Sequence, residues 1–175
     1  SWSNNYLVEG NDFSNGCGAT GSIDIIFTAT DVCGNAASRL ATFTIEDTTN
    51  PTVAGKDHTV TLDAMGTGSM VASDIDDMSS DGCGMVSLSA SQTAFDCSHI
   101  GANSVILTVT DECNNVSTTT ASVTVEDTTG PTITSEAADA TYECDGTDYS
   151  AQYFAWLADN GGADATDACG PLTWT

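Results

Sequence analysis

The chain has 175 residues, enough for one or two domains, and its 40% apolar content is an ordinary supply for a buried core. Only Arg39 and Lys56 are basic, against 25 Asp and Glu, so the net charge is −23. That balance excludes nucleic-acid binding, which needs a basic footprint, and disfavours anionic membrane surfaces. It is compatible with bound cations, which relieve self-repulsion.

Residues 1–16 begin abruptly. Trp2, Tyr6, Leu7 and Val8 are apolar, and Asn11-Asp12 and Asn15-Gly16 signal turns. From Cys17 the chain repeats itself: residues 17–53 align without a gap on residues 97–133, 80 positions later. The matches include Cys17/Cys97, Gly21/Gly101, Thr30-Asp31/Thr110-Asp111, Cys33/Cys113 and Asn35/Asn115. Each copy reads as a cysteine, a tight turn and a strand (23–30; 104–110). A loop with Asp and Cys follows, then a second alternating strand. Two strands joined by a short loop make a hairpin. Each second strand ends in Glu-Asp-Thr-Thr and a proline, Glu46 to Pro51 and Glu126 to Pro131. Proline lacks an N–H and biases its predecessor towards extended backbone, so these stretches read as joints between modules. A repeat of this period means an array of similar units.

Residues 51–127 read as one complete, strand-only module. It has strands over 58–63, 69–73 and 85–90, a turn at Gly66-Thr67-Gly68, and an acidic loop over 74–84. The third copy opens at Pro131 in the same register, with Thr141-Tyr142-Glu143-Cys144-Asp145-Gly146 on Thr61-Leu62-Asp63-Ala64-Met65-Gly66. Residues 150–160 then predict a short helix, capped by Ser150 or Thr147 and stopped by Gly161-Gly162. Asp167-Ala168-Cys169-Gly170 matches Asp81-Gly82-Cys83-Gly84. Residues 1–47 thus read as the second half of a long module and 131–175 as its first half. The chain reads as cut from an array, with each half completed by a neighbouring copy, head to tail.

Seven cysteines with almost no lysine predict an oxidising, extracellular setting. The simplest pairing is Cys17–Cys33, Cys97–Cys113 and Cys144–Cys169, leaving Cys83 free; Cys83 pairing with Cys97 or Cys113 stays open. Cys17–Cys33 and Cys97–Cys113 flank a strand of about 23 Å, so they join only if the loop brings the ends together. Acids clustered at joints and loops are the candidate Ca²⁺ ligands: Asp31, Glu46, Asp47, Asp111, Glu126 and Asp127. No Asp-x-Asp-x-Asp-Gly loop is present, and no Cys-x-x-Cys supports zinc. Catalytic residues are expected to be none: no nucleophile–base pair stands out, and Cys97 beside His99 is expected in a disulfide.

The pattern Thr30-Asp31-Val32-Cys33-Gly34-Asn35 through Thr52, repeated from Thr110 through Thr132, resembles the hyalin-repeat (HYR and HYR-like) modules. Tyr142-Glu143-Cys144-Asp145-Gly146, Ala155-Trp156-Leu157 and Asp167-Ala168-Cys169-Gly170 resemble their longer bacterial variety. The departure is Asn114, where glycine is commoner. The resemblance implies an all-β fold of tandem immunoglobulin-like sandwiches, in a non-enzymatic structural or adhesive role on the bacterial cell surface. The rival expectation is a carbohydrate-binding accessory module, since Trp2, Trp156 and Trp174 are available to stack on surface glycans. Asp47-Thr48-Thr49 and Asp127-Thr128-Thr129 resemble a bacterial O-glycosylation acceptor at Thr48 and Thr128. Membrane insertion is not expected, because no apolar run approaches about 20 residues.

Overall fold

A computed structural model describes residues 2–4 and 16–175. Tyr6, Leu7, Val8, the expected turn at Asn11-Asp12, Asn15 and the Trp2 side chain lie outside the described residues. Strands dominate and the helix over Ser150–Ala158 is the single α-helix among the described residues, so the chain is all-β.

The two repeat copies build the same hairpin. In the first, β1 (Trp2–Asn4) pairs antiparallel with β2 (Gly21–Thr30), and β2 with β3 (Ala36–Ile45). In the second, β8 (Gly101–Asp111) and β9 (Val116–Glu126) are neighbours. They are flanked by β6 (Val86–Ala90) on β8 and β4 (His58–Thr61) on β9, in the order β4-β9-β8-β6. β6 is antiparallel to β8, while β4 is parallel to β9.

One motif closes both hairpins. The Asp31 N–H donates to the Asn35 carbonyl, and the Asp31 carboxylate accepts from the Cys33 and Asn35 amides and from Asn35 Nδ2, at 2.7–2.8 Å. Asp111 makes the same backbone bond and accepts from the Asn115 amide and Nδ2 at 2.8 and 2.9 Å. Between them the chain turns through a left-handed residue, Gly34 (φ 89°) or Asn114 (φ 68°). Asparagine is the side chain that best tolerates that region after glycine, which accounts for the departure at Asn114.

Two compact units draw on the middle repeat. The first holds Ser1–Asp57, Val71–Ser91 and Ser104–Ala121. Its buried side chains include Val105, Leu107, Val109 and Ala121 from alternate positions of β8 and β9, with Ile75. Ile75 is carried by a 3₁₀ turn over Ala72–Ile75, whose first amide acceptor is the Asp74 carboxylate, 2.8 Å from the Val71 nitrogen. The second unit holds His58–Met70, Gln92–Asn103 and Ser122–Thr175. It buries Val60, Leu62, Met70, Phe95, Val123 and Val125.

The expected strand over 69–73 lies earlier: β5 (Thr67–Ser69) pairs with β7 (Ala94–Asp96). Gly68 permits this, since a Cβ there would meet Val60 Cγ1 at 2.6 Å. In the third copy β10 (Thr132–Ser135) pairs with β11 (Asp164–Thr166), and α1 (Ser150–Ala158) lies between them in sequence. The cap of α1 differs from expectation: the N-cap is Tyr149, whose side chain makes no capping bond, and the Asp148 carboxylate before it accepts the Ser150 amide at 2.9 Å. The helix stops where Asn160 and Gly161 adopt positive φ. Trp156 Nε1 then donates to the Ala138 carbonyl at 2.9 Å, and the Ala138 amide to the Gly161 carbonyl at 2.8 Å.

Candidate functional site

The joints concentrate the unusual chemistry, and residues equivalent in sequence lie at both. At the first, Asp47 follows β3 and turns the chain by accepting the Thr49 amide at 3.0 Å. Its carbonyl accepts Asn115 Nδ2 at 3.2 Å, so the capped hairpin loop of the second copy grips the end of the first. Asp81 accepts the Cys83 amide at 2.7 Å. One carboxylate oxygen each from Asp47 and Asp81 and the Cys83 sulfur lie within 4.8 Å of one another. Gly84 brings in Glu112: a Cβ there would meet Glu112 Oε2 at 2.7 Å.

At the second joint Asp127 accepts the Thr129 amide at 2.9 Å and Asp167 accepts the Cys169 amide at 2.8 Å. Asp127, Pro131, Asp167 and Cys169 line one cavity of about 320 Å³. Asp47/Asp127 and Asp81-x-Cys83/Asp167-x-Cys169 are therefore equivalent pairs.

The cysteine pairing corrects the sequence expectation. Cys17 is bonded to Cys113 and Cys97 to Cys169, with Cα atoms 5.1 and 5.0 Å apart. Cys33 and Cys144 are free and exposed, and Cys83 is free and half-buried. Cys17 cannot reach Cys33 because β2 runs extended for ten residues between them, about 33 Å. The same strand geometry in β8 separates Cys97 from Cys113. Each bond instead joins one repeat copy to the next, the first to the second and the second to the third.

The Cys83 thiol sits among negative charge. Asp47 beside it, then burial, then Asp81 and Asp111, push its pKa above the ordinary thiol value. Its backbone carbonyl accepts the Ala19 amide at 2.9 Å, two residues from Cys17.

The predicted metal ligands divide. Asp47 and Asp127 lie in the joint clusters. Glu46 and Glu126 are exposed. Asp31 and Asp111 are engaged as turn acceptors. Bonds from the Asn35 side chain and amide hold the Asp31 carboxyl below its usual pKa. For Asp111 burial is the largest single influence and raises it, but bonds from Asn115, Cys113 and Asn114 outweigh burial and lower it. Sequence reasoning missed Asp81 and Asp167, although the recurring Asp-x-Cys-Gly marked them. Asp47 and Asp81 offer at most four carboxylate oxygens. Ca²⁺ takes six to eight oxygens, and a thiol is not among its ligands, so backbone carbonyls or water must supply the rest.

Thr48 and Thr128 are exposed, each inside the Asp-capped turn of its joint. Asp96, Ser98 and His99 also meet, but as a cap. Asp96 Oδ1 contacts Ser98 N, Ser98 Oγ and His99 Nδ1 at 2.5–2.9 Å, so serine and histidine share one carboxylate oxygen. No protein-family profile matches the chain, and no curated protein is significantly similar to it in sequence.

Proposed function

We propose that this chain is a repeat segment of an extracellular structural or adhesive protein. In this reading its modules are immunoglobulin-like sandwiches of the hyalin-repeat kind, strung head to tail on a bacterial surface. The observation that carries the reading is the doubled joint: each disulfide links a cysteine of one repeat copy to a cysteine of the next, inside one compact unit. Such a bond keeps neighbouring repeat copies from separating under load, a requirement of a tether. The charge of −23 keeps a long array soluble, and a divalent cation at Asp47 and Asp81, or at Asp127 and Asp167, would stiffen each joint. The test is electron microscopy of the native material. Continuous fibres with a repeating subunit are expected; isolated compact particles would overturn the proposal.

A glycan-binding reading has one supporting observation. Trp156 and Trp174 are exposed and line one cavity of about 480 Å³ with Leu157 and Asn160. Exposed indole rings stack on sugars. Retention on immobilised polysaccharide, lost in Trp174→Ala, would favour it over a purely structural role.

A further inference from the structure

The two hairpins are built alike and covered differently. β1 meets β2 as β6 meets β8: Trp2 faces Ala29 and Leu88 faces Val109, positions 80 residues apart on the longer strand. The first sheet therefore has counterparts of β6, β8 and β9. Among the described residues it has no counterpart of β4, and β3 is an edge strand with β2 as its one neighbouring strand. Two counterpart positions on the same face are correspondingly more exposed. Leu107 is 0% exposed and its counterpart Phe27 41%; Val125 is 1% exposed and its counterpart Ile45 38%.

The middle repeat shows what belongs there. β4 runs parallel to β9 with Thr59 opposite Thr124, Val60 opposite Val125 and Thr61 opposite Glu126; the Leu62 amide then donates to the Glu126 carbonyl at 2.9 Å. Residues 139–142 are the counterparts of 59–62. The match is anchored by Thr61/Thr141 and by the left-handed glycines Gly66 (φ 73°) and Gly146 (φ 85°). Residues 139–142 are exposed and belong to none of the described strands. Val60 and Leu62 fill a core, whereas Tyr142 is half in solvent and touches Tyr149 at 5.0 Å between ring centroids.

Chain order selects the occupant. In the middle repeat the added strand precedes the hairpin it completes. Here residues 139–142 follow β2 and β3, so the same order is restored when the 139–142 segment of a second copy lies ahead of the first. The geometry points to strand donation between copies: residues 139–142 of a second copy of this chain add in parallel to the outer edge of β3. Asp139 falls opposite Thr44, Ala140 opposite Ile45 and Thr141 opposite Glu46, and the Tyr142 amide donates to the Glu46 carbonyl. Backbone bonds supply the pairing, while Ala140 and Tyr142 cover the face that Ile45 and Phe27 leave open. The contact uses different surfaces on the two copies, so it propagates instead of closing. It rests on the head-to-tail reading above and specifies its interface.

The test uses the full 175-residue chain in oxidising buffer. Sedimentation velocity across a hundredfold concentration range is expected to show mass growing through dimers and trimers. Hydrogen exchange is expected to slow at the amides of residues 44–46 and 139–142 together as mass grows. Ala140→Pro, which removes an amide donor, and Ile45→Asp on the accepting edge are each expected to weaken association at least tenfold. A chain monomeric at every concentration would overturn the inference. So would association that leaves both amide groups unprotected, a readout that needs no variant. In either case the structural reading stands or falls separately, on whether the native material forms fibres.

Discussion

At the residue scale, an aspartate two residues before a cysteine or threonine recurs as a turn-former. Asp31 and Asp111 accept several bonds each, and the sequence motif Thr-Asp-x-Cys-x-Asn records that geometry. Asp111 is buried and Asp31 exposed, so Asp111→Ala is expected to lower the thermal midpoint more than Asp31→Ala, because water can replace the lost acceptor only at Asp31. Cys83 carries a second expectation. Its raised pKa leaves less thiolate at any neutral pH, and the thiolate is the nucleophile. Iodoacetamide at pH 7.5 should therefore label Cys33 and Cys144 well before Cys83. In Asp47→Asn the Cys83 rate should rise, since the largest source of the shift is gone. Equal rates at all three thiols would refute this electrostatic account. A third expectation concerns Gly66, which turns at φ 73° with its missing Cβ facing the Cys97 and Cys169 sulfurs at 2.5 and 3.1 Å. Gly66→Ala should cost about 1–3 kcal/mol from backbone strain alone, and urea unfolding measures it.

At the element scale, the hairpins were legible because alternation repeats 80 residues apart, and two copies of one pattern reinforce each other. The helix was legible from its formers and its terminal glycines, although neither Ser150 nor Thr147 caps it. The strand at 67–69 was hidden because Gly68 owes its place to a close approach to Val60, which no local pattern encodes. The disulfides were the least legible. Their partners lie 96 and 72 residues apart, and strand length excludes local pairs without naming distant ones. The Asp-x-Cys-Gly recurrence was visible, but its pairing with the joint aspartates needed the folded chain. Closing loops of this size removes about 4–5 kcal/mol of chain entropy per bond in the loop-closure account. Cys17→Ser should therefore lower the midpoint of the unit holding residues 1–57, while Cys169→Ser should affect the unit holding residues 122–175. Two calorimetric transitions that shift independently would show this; one transition shifting equally in both variants would contradict it.

At the scale of the whole molecule, charge governs solution behaviour. Asp31, Asp63, Asp96, Asp111, Asp145 and Asp148 all have pKa values lowered by the hydrogen bonds they accept. An aspartate depressed in the fold stabilises it fully above its unfolded pKa of about 3.9, and the contribution is lost as pH falls through the folded value. The midpoint should thus change little between pH 7 and about 4.5 on this account and fall below pH 4. Divalent cations act on the same charges at neutral pH. With 25 acidic groups against two basic ones, any salt weakens self-repulsion, so a specific site must be separated from screening. Ligand bound only to the folded chain adds stability as RT ln(1 + [L]/Kd), about 2.7 kcal/mol at a hundred times Kd. Thermal unfolding at fixed ionic strength, with chelator or with millimolar Ca²⁺, should show a Ca²⁺-dependent rise in midpoint. Mg²⁺ at the same concentration should produce less, because it resists dehydration and demands a tighter octahedron. The rise should shrink in Asp81→Asn and again in Asp167→Asn, since each substitution removes one carboxylate from one joint. Asp24→Asn, on β2 away from both joints, should leave it intact. A midpoint that is the same with chelator and with Ca²⁺, or a rise that all three variants retain, would assign the joint acids to solubility alone.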